Sequence, residues 1–265
     1  MPSPHSPGAL ADVTLPDGRR IVAPNPQQAG FLWQSVSQDP YYGAGAAELT
    51  GGDVVLDIGA NIGLTTLHFV AQAPGLRVIA AEPAAASYSA LAVNLARHAP
   101  GCTAVHSAVG SVCGSGEFTY YPDSPANSTL HADFDDTVRV GHTYLGTMQL
   151  PAEIRAARER AVVAKFRHTV TTVVPITTIS ELLHRFRIDR VALLKIDVER
   201  AELEVAQGIT AAHWRGIDRV VAEAHDVDGR VGQLVDLLAE RGFRTEVEQD
   251  PAMAGTNLYM VSARR

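Results

Sequence analysis

The sequence has few cysteines, no long apolar run and no recognisable leader for secretion. Cys102 and Cys113 are its two cysteines, and a Cys-x10-Cys spacing is neither a disulfide framework nor a zinc site. No apolar stretch approaches the roughly 20 residues needed to cross a bilayer. The first residues lack the basic and apolar regions of a secretory signal. We therefore expect a cytoplasmic protein that does not contact a membrane.

Positive charge is also scarce. The chain has 22 Lys and Arg against 29 Asp and Glu, a net charge of −7, and it has no long basic block. A general nucleic-acid binder needs a concentrated positive surface, so we expect no nucleic-acid partner. Apolar residues make up 46% of the 265 residues, which is enough for the core of one large domain.

The chain divides into an N-terminal extension and a larger domain. Residues 1–10 are interpreted as a disordered leader. Residues 13–22 form a predicted hairpin with Asp17-Gly18 as its turn, and short helices are predicted at 31–36 and 44–49. We expect residues 1–50 to pack on the core as an extension and residues 51–265 to form the main domain.

Strands and helices alternate through the main domain. Strands are predicted at residues 54–58, 77–81, 103–108, 192–196 and 219–224, and helices at 64–73, 84–98, 179–186, 201–207 and 230–241. This alternation indicates an α/β fold with a mostly parallel sheet that is covered on both faces. The last two strands, 243–247 and 258–261, have no helix between them and should pair antiparallel.

Residues 120–170 interrupt the alternation. Prolines and glycines begin the segment, and an Arg- and Ala-rich helical pattern ends it. Short additional strands are predicted on its two sides, near 117–121 and 171–174. Insertions of this length in a compact fold are usually functional or disordered. We interpret the segment as a lid over the substrate.

The most informative segment is residues 54–64, a short apolar strand followed by a glycine-punctuated turn and a helical pattern. Such a loop is typical of a site for a nucleoside-bearing cofactor at the carboxyl edge of a parallel sheet. Asn61 stands midway between Gly59 and Gly63, so the Gly-x-Gly-x-x-Gly that accommodates a pyrophosphate is missing. Asp57 would repel a phosphate but attract an ammonium or sulfonium group.

Glu82 follows the next strand, 19 residues beyond Gly63. An acid at this position accepts hydrogen bonds from both hydroxyls of a ribose. A ribose, no pyrophosphate and a positive charge together indicate S-adenosyl-L-methionine. Ser107 and Ala108 would border its adenine, and the ring of Tyr42 would face its sulfonium or methionine end. The predicted cofactor-binding residues are Tyr42, Asp57, Gly59, Asn61, Gly63, Glu82, Pro83, Ser107, Ala108 and Asp197.

Charged side chains alternate at the ends of two later strands that should be neighbours. Lys195, Asp197 and Glu199 belong to the first, and Glu223 and His225 to the second. In one hypothesis, which we favour, His225 is a general base oriented by a carboxylate. In another, Asp197 and Glu223 bind Mg²⁺ with the help of His225. A third interpretation is a structural cluster in which Lys195 neutralises the acids.

The predicted catalytic residues are therefore His225, Asp197, Glu199 and Lys195. Ser128 and His142 in the insertion, together with Glu223, are the candidates for contact with the substrate. Glu202 and Glu204 are interpreted as ordinary acids of a first helical turn, which the helix dipole favours.

Three segments, 55–63, 81–83 and 193–202, resemble the FkbM family of S-adenosylmethionine-dependent methyltransferases, and residues 127–130 are similar to the polar loop of that family. Arg200 departs from the pattern, because glycine is usual there, and it places a bulky cation beside the expected active site. The resemblance implies a Rossmann-like class I methyltransferase fold with a seven-stranded, mostly parallel sheet and an antiparallel last strand.

The resemblance also implies O-methylation of a small-molecule hydroxyl derived from a polyketide, a peptide or a sugar, as in natural-product and antibiotic biosynthesis. Two alternatives stay open. An NAD(P)-dependent oxidoreductase would use Glu82 for the same ribose contact, and a non-catalytic protein would bind S-adenosylmethionine without transferring its methyl group. The sequence also leaves a homodimer open.

Overall fold

The structure is a computed structural model that describes residues 10–265. The predicted leader, residues 1–10, lies outside this range apart from Leu10. Among the helices described, none combines the length and the apolar character that crossing a membrane requires.

Twelve strands and ten α-helices are described between residues 10 and 265. The strands are β1 (Ala11–Thr14), β2 (Arg20–Ala23), β3 (Val54–Ile58), β4 (Arg77–Ala81), β5 (Thr103–Val105), β6 (Ala108–Val109), β7 (Gly114–Tyr120), β8 (Val170–Thr177), β9 (Leu193–Ile196), β10 (Arg219–His225), β11 (Arg244–Glu248) and β12 (Leu258–Arg264). The helices are α1 (Pro26–Gln38), α2 (Pro40–Ala47), α3 (Leu64–Gln72), α4 (Ala85–His98), α5 (Phe134–Gly146), α6 (Ala152–Arg167), α7 (Ile179–Phe186), α8 (Glu202–Gln207), α9 (Ala211–Trp214) and α10 (Arg230–Glu240).

The main sheet has seven strands in the order β11-β12-β10-β9-β3-β4-β5. β12 is antiparallel to both of its neighbours, and the pairs from β10 to β5 are parallel. Residues such as Leu56, Leu193 and Leu194 are fully buried, as expected for strands covered on both faces. The predicted α/β class, the mostly parallel sheet and the antiparallel last strand are confirmed.

The carboxyl ends of β3, β4, β9 and β10 meet at one edge of the sheet. The register places Asp57 beside Lys195 and Ala222 beside Ile196. The loop after β3, the acid after β4 and the charged ends of β9 and β10 are therefore brought to the same edge, which is the ligand-binding edge of open parallel sheets.

A small second sheet, in the order β6-β8-β7, lies beside the main one. The predicted strand at 103–108 was too long, because β5 ends at Val105 and Ala108–Val109 joins β8 instead. The Ser107 hydroxyl donates to the carbonyl of Pro175 at 3.0 Å at this change of sheet. The two predicted additional strands pair with each other as β7 and β8 across the insertion.

The N-terminal segment packs directly on the main domain. α1 and α2 begin earlier than predicted because Asn25 and Asp39 cap them and a proline follows each cap. The side chain of Asn94 on α4 exchanges two hydrogen bonds with the backbone of Val22 on β2, at 2.8 and 3.0 Å. It also donates to the carbonyl of Ile62 at 2.9 Å, which joins the hairpin to the loop after β3.

The insertion forms a pair of helices, α5 and α6. Asp133 caps α5 by accepting a hydrogen bond from the backbone of Asp136 at 2.9 Å. Thr137, Val140, Gly141 and Tyr144 of α5 follow the spacing of one helical face and line the cavity described below. The helix pair thus covers the ligand-binding edge of the sheet.

Candidate active site

A cavity of about 1100 Å³ opens at the carboxyl edge of the sheet. Its walls come from α1, α2, α5, α6, the strand ends and the start of β12. Thirteen predicted site residues line it: Tyr42, Gly59, Asn61, Glu82, Pro83, Ser107, Ala108, Ser128, Lys195, Asp197, Glu199, Glu223 and His225. Asp57, Gly63 and His142 are not part of its wall.

Gly59 lets two backbone segments touch at the floor of the cavity. Its φ is +76°, and a Cβ at this position would lie 1.7 Å from the carbonyl oxygen of Asp197. Only glycine fits there. Gly63 serves packing instead, since its φ is +89° and a Cβ would lie 2.8 Å from Leu91. The structure thus places Gly63 behind the loop rather than on the cavity wall.

Glu82 is tied to the loop after β3 by backbone hydrogen bonds. One carboxylate oxygen accepts from the amide of Asn61 at 2.9 Å, and the other accepts from the amide of Ala84 at 2.8 Å. Burial raises the pKa of Glu82 to about 7, although these two hydrogen bonds oppose the shift. Each carboxylate oxygen has a further lone pair with which to accept from a ligand hydroxyl.

Lys195 neutralises two acids beneath the cavity. Its Nζ lies 3.1 Å from Asp57 and 3.4 Å from Asp197, and it donates to the carbonyl of Gly59 at 2.8 Å. Burial opposes the charge, but both acids outweigh it and raise the pKa of Lys195, so the ammonium persists. Asp57 is fully buried and also accepts from Thr66 at 2.6 Å. Its charge is therefore used inside the fold and is not presented to a sulfonium.

His225 is held between two carboxylates. Its Nδ1 lies 3.1 Å from Glu202, and its Nε2 lies 3.5 Å from Glu199. Burial alone would lower the pKa of His225, but the hydrogen bond to Glu202 and the nearby charges raise it to about 9. At neutral pH the ring is therefore mostly an imidazolium, whose Nδ1 donates to Glu202 and whose Nε2 forms an ion pair with Glu199.

Glu199 is the carboxylate of this group that faces the cavity. Burial raises its pKa to about 7, with His225 lowering the value and Asp197 raising it. Asn127 donates at 3.2 Å to the Glu199 carboxylate oxygen that does not contact His225. The Thr129 hydroxyl donates to the backbone carbonyl of Glu199. Glu199 is thus oriented from both sides and titrates near neutral pH.

Glu223 and Tyr42 stand on the cavity wall beside Asp197. Desolvation, followed by the charges of Asp197 and Glu199, raises the pKa of Glu223 well above its usual value. Burial likewise raises the pKa of Tyr42, followed by the charges of Asp197 and Glu223. The Tyr42 phenol therefore keeps its proton at neutral pH and presents a hydrogen-bond donor, and burial favours the protonated form of Glu223.

The sequence model of the "Methyltransferase FkbM domain" matches residues 57–245. The chain belongs to the FkbM methyltransferase family. A relative from Streptomyces tacrolimicus, 31-O-demethyl-FK506 methyltransferase FkbM, is 36% identical over 252 residues, which cover 95% of each chain. Methyltransferase sdnD from Sordaria araneosa is 29% identical over 249 residues, 90% of each chain.

A solved structure supports the fold of this FkbM-family chain. The crystal structure of an FkbM methyltransferase from Methylobacillus flagellatus KT superposes with a TM-score of 0.51 and 15% identity. The match covers 84% of this chain and 48% of that one. The FkbM match and the sheet order together establish a class I methyltransferase fold.

The structure offers no ligand set for the Mg²⁺ alternative. Within residues 10–265, no three His, Cys, Asp or Glu side chains are grouped to hold a metal ion. Of the predicted ligands, Asp197 is paired with Lys195, and His225 contacts Glu199 and Glu202 rather than Asp197 or Glu223. Asp197 is thus engaged with a cationic side chain, and Glu223 has no ion pair among residues 10–265.

Two residues of the site, Glu202 and Asn127, were not predicted from the sequence. Glu202 is not an ordinary first-turn acid, since it is buried against His225 and accepts from the amide of Arg200 at 2.8 Å. Asn127, next to the predicted Ser128, is the residue that contacts Glu199. Ser128 itself accepts a hydrogen bond from the Tyr121 amide at 3.1 Å. His142 faces α6, where its Nε2 lies 3.2 Å from the carbonyl of Glu159.

Proposed function

We propose that this FkbM-family chain transfers the methyl group of S-adenosyl-L-methionine to a hydroxyl of a small molecule. The observation that carries the proposal is one continuous cavity that joins the loop after β3 to the Glu199–His225 pair. Gly59 and Glu82, the acid proposed to bind a ribose, lie at one end of the cavity. Glu199 and His225, which can exchange protons, lie at the other.

The residues at the first end fit an adenosyl cofactor. Asn61 leaves its buried Oδ1 without a hydrogen-bond partner in residues 10–265, and Glu82 retains acceptor capacity. Gly59 lets the loop after β3 pass close to Asp197, and Ser107 and Ala108 supply small side chains for a flat ring. When bound, S-adenosylmethionine supplies a methyl group on a sulfonium, which is already a good leaving group.

The second end of the cavity supplies a base for the hydroxyl of the acceptor. An alcohol is a weak nucleophile until its proton is removed, and the best base titrates near the working pH. Glu199, whose pKa is raised to about 7, fits this role better than His225, whose pKa of about 9 keeps it protonated. In the proposed mechanism Glu199 takes the hydroxyl proton, and the imidazolium of His225, fixed by Glu202, holds and stabilises the Glu199 carboxylate.

Two facts favour oxygen and a natural product as the acceptor. A relative that is 36% identical over nearly the whole chain is named for methyl transfer to 31-O-demethyl-FK506. The cavity, at about 1100 Å³, is at the large end of the range usual for small-molecule sites, and α5 and α6 close it with apolar as well as polar side chains. A small-molecule acceptor and a cytoplasmic location remain predictions from the sequence.

The test is methyl transfer by the purified protein to a panel of hydroxylated compounds that includes macrolides, hydroxylated peptides and sugars. Mass spectrometry should detect S-adenosylhomocysteine together with a product heavier by one methyl replacing one hydrogen. Calorimetric titration with S-adenosylmethionine and with NAD(P) separates the oxidoreductase alternative. Binding of NAD(P) without S-adenosylmethionine would overturn the proposal.

The non-catalytic alternative needs a second comparison. His225→Ala should abolish methyl transfer and keep affinity for S-adenosylmethionine, because His225 contacts the acids rather than the loop after β3. A wild-type protein that binds the cofactor but methylates no member of the panel would favour the binding-protein alternative.

A further inference from the structure

Arg200 is a buried cation in a backbone conformation that disfavours side chains. Its φ is +80°, directly after Glu199 at +54°, and 4% of the residue is exposed. Left-handed backbone of this kind is unfavourable for residues other than glycine. Local conformational preference therefore does not explain an arginine at this position.

Hydrogen-bond satisfaction does not explain it either. The Nε and Nη1 groups of Arg200 are buried and have no hydrogen-bond partner in the part of the chain that the structure describes. Buried donors without partners are unfavourable and uncommon. The side-chain hydrogen bonds of the guanidinium are made by its remaining nitrogen, Nη2.

That nitrogen reaches the lid. Nη2 of Arg200 donates to Asp136 at 2.8 Å and to the hydroxyl of Thr137 at 2.9 Å, both in the first turn of α5. Asp136 also accepts from Asn257 at 3.0 Å and pairs with Arg139. The buried ion pair therefore ties the start of α5 to the segment between β9 and α8.

The backbone of Arg200 belongs to the catalytic group. It follows Glu199, and its amide donates to the Glu202 oxygen that also contacts His225. Its carbonyl accepts from Arg230 at 3.2 Å. Any movement of Arg200 would therefore shift both carboxylates that hold the imidazole.

We infer that Arg200 is a positioning residue that couples the docking of α5 to the placement of Glu199 and Glu202 around His225. The catalytic part of this inference rests on the proposed methyl transfer. The tether itself rests on contacts alone. Docking of α5 over the cavity and correct placement of Glu199 beside His225 would then occur together. The base would be in its reactive position only when the cavity is covered.

The first test measures the tether without an acceptor. Arg200→Gly suits the left-handed backbone and removes the guanidinium, whereas Arg200→Lys keeps a charge that can still reach Asp136. Hydrogen exchange of the full-length protein should show faster exchange of the α5 amides in Arg200→Gly, with β3 and β9 unchanged. Arg200→Lys should lie between it and the wild type. Unchanged exchange in α5 would overturn the inference.

The second test measures the coupling to chemistry, with S-adenosylmethionine and whichever acceptor of the panel the wild type methylates. Small displacements of reacting groups are costly, so Arg200→Gly should lower kcat about 10- to 100-fold and leave the Kd of S-adenosylmethionine unchanged. In combination with Asp136→Asn it should lose less than the sum of the two single losses, because both changes break the Arg200–Asp136 pair, although Asp136→Asn also affects the pair with Arg139. A wild-type kcat, or full additivity, would contradict the inference.

A pH profile separates positioning from a purely structural role. Charged or titratable groups surround Glu199 from several elements. They are Glu223 and His225 on β10, Asp197 and Arg200 between β9 and α8, Glu202 on α8, Lys165 on α6 and Tyr121 after β7. Loss of the Arg200 charge should shift the acid limb of kcat to higher pH, and Arg200→Lys should restore part of the shift.

The outcomes distinguish this inference from the proposed function. If the wild type methylates nothing, the proposed function fails, and the exchange experiment still decides the tether. If α5 exchange rises but kcat and its pH profile do not change, Arg200 secures the lid alone and the positioning role is wrong.

Discussion

The two ends of the cavity treat negative charge in opposite ways. At the loop after β3, Asp57 is paired with Lys195 and Glu82 is fixed by two backbone amides. Around His225, Glu199 and Glu202 contact the same imidazolium, and burial and neighbouring acids raise the pKa of Glu199 and Glu223. The first end gives each acid its own fixed partner, whereas at the second end the acids lie close enough to shift one another's pKa and two of them contact one imidazolium.

The two ends also differ in how far apart their residues lie in the sequence. The first end comes mostly from residues 57–84, with Lys195 as the distant partner. The second end combines the ends of β9 and β10, the start of α8 and the loop before α5. We therefore expect substitutions at the first end to affect binding or stability, and those at the second to affect turnover.

The largest effect should follow Glu199→Gln. The amide keeps the shape but cannot take a proton, so kcat should fall about 10²- to 10⁴-fold. Affinity for S-adenosylmethionine, measured by calorimetry, should not change. Glu240→Gln at an exposed site is the matched control. Wild-type turnover by Glu199→Gln would remove Glu199 from the role of base.

The next effect tests the neutral floor of the cavity. Lys195→Met leaves Asp57 buried without its cation and should lower the free energy of unfolding by about 3–5 kcal/mol. Denaturant unfolding measures the loss, and the double variant with Asp57→Asn should recover much of it. Lys165→Met, a half-buried lysine without an ion pair among residues 10–265, is the control and should cost far less. Equal losses at both lysines would show that the Asp57 pair is unimportant.

A smaller effect is expected for Glu82→Gln. Above its pKa of about 7, Glu82 is charged, and replacing it with a neutral amide should weaken S-adenosylmethionine binding by about 1.5–3 kcal/mol. At saturating cofactor, kcat should stay close to wild type, in contrast to Glu199→Gln. Glu117→Gln, on the exposed surface of β7, serves as control. A large loss of kcat with intact affinity would erase the distinction between the two ends.

The mildest test varies only pH, at saturating S-adenosylmethionine. Glu199 must lose its proton to act as a base, so kcat should rise with pH through about 7. His225 must keep its proton to hold Glu199, so kcat should fall above about 9. Cofactor affinity should show no fall near pH 9, since His225 lies at the other end. A kcat that does not change between about pH 6 and about pH 10, a range that extends about one unit beyond both pKa values, would contradict the assignment.

The sheet and the loop after β3 were predictable because their signals are local. Apolar runs mark the buried strands, and Gly59 and Glu82 follow strand ends at fixed spacing. The partner of Asp57 was not read from this spacing. It depends on the register between β3 and β9, which places Lys195 directly beside it.

The acceptor end was harder to predict because its contacts join distant segments. Glu202 meets His225 only after β10 has paired with β9, and a first-turn acid gives no sign of that contact. His142 is a predicted substrate contact because it lies in the insertion, where the sequence shows a helical pattern only toward the end. As a helix, α5 presents Thr137, Val140, Gly141 and Tyr144 to the cavity, and His142 falls on the side toward α6.

The three hydrogen bonds of Asn94 also bear on how the chain is made. Synthesis proceeds from the N-terminus, so β1 and β2 leave the ribosome long before α4. The hairpin can pair with itself at once, but the polar backbone of Val22 gains its side-chain partner only 72 residues later. The hairpin should therefore dock late, and Ile21, which is buried in the folded chain, would stay exposed to solvent on the nascent chain until α4 has been made.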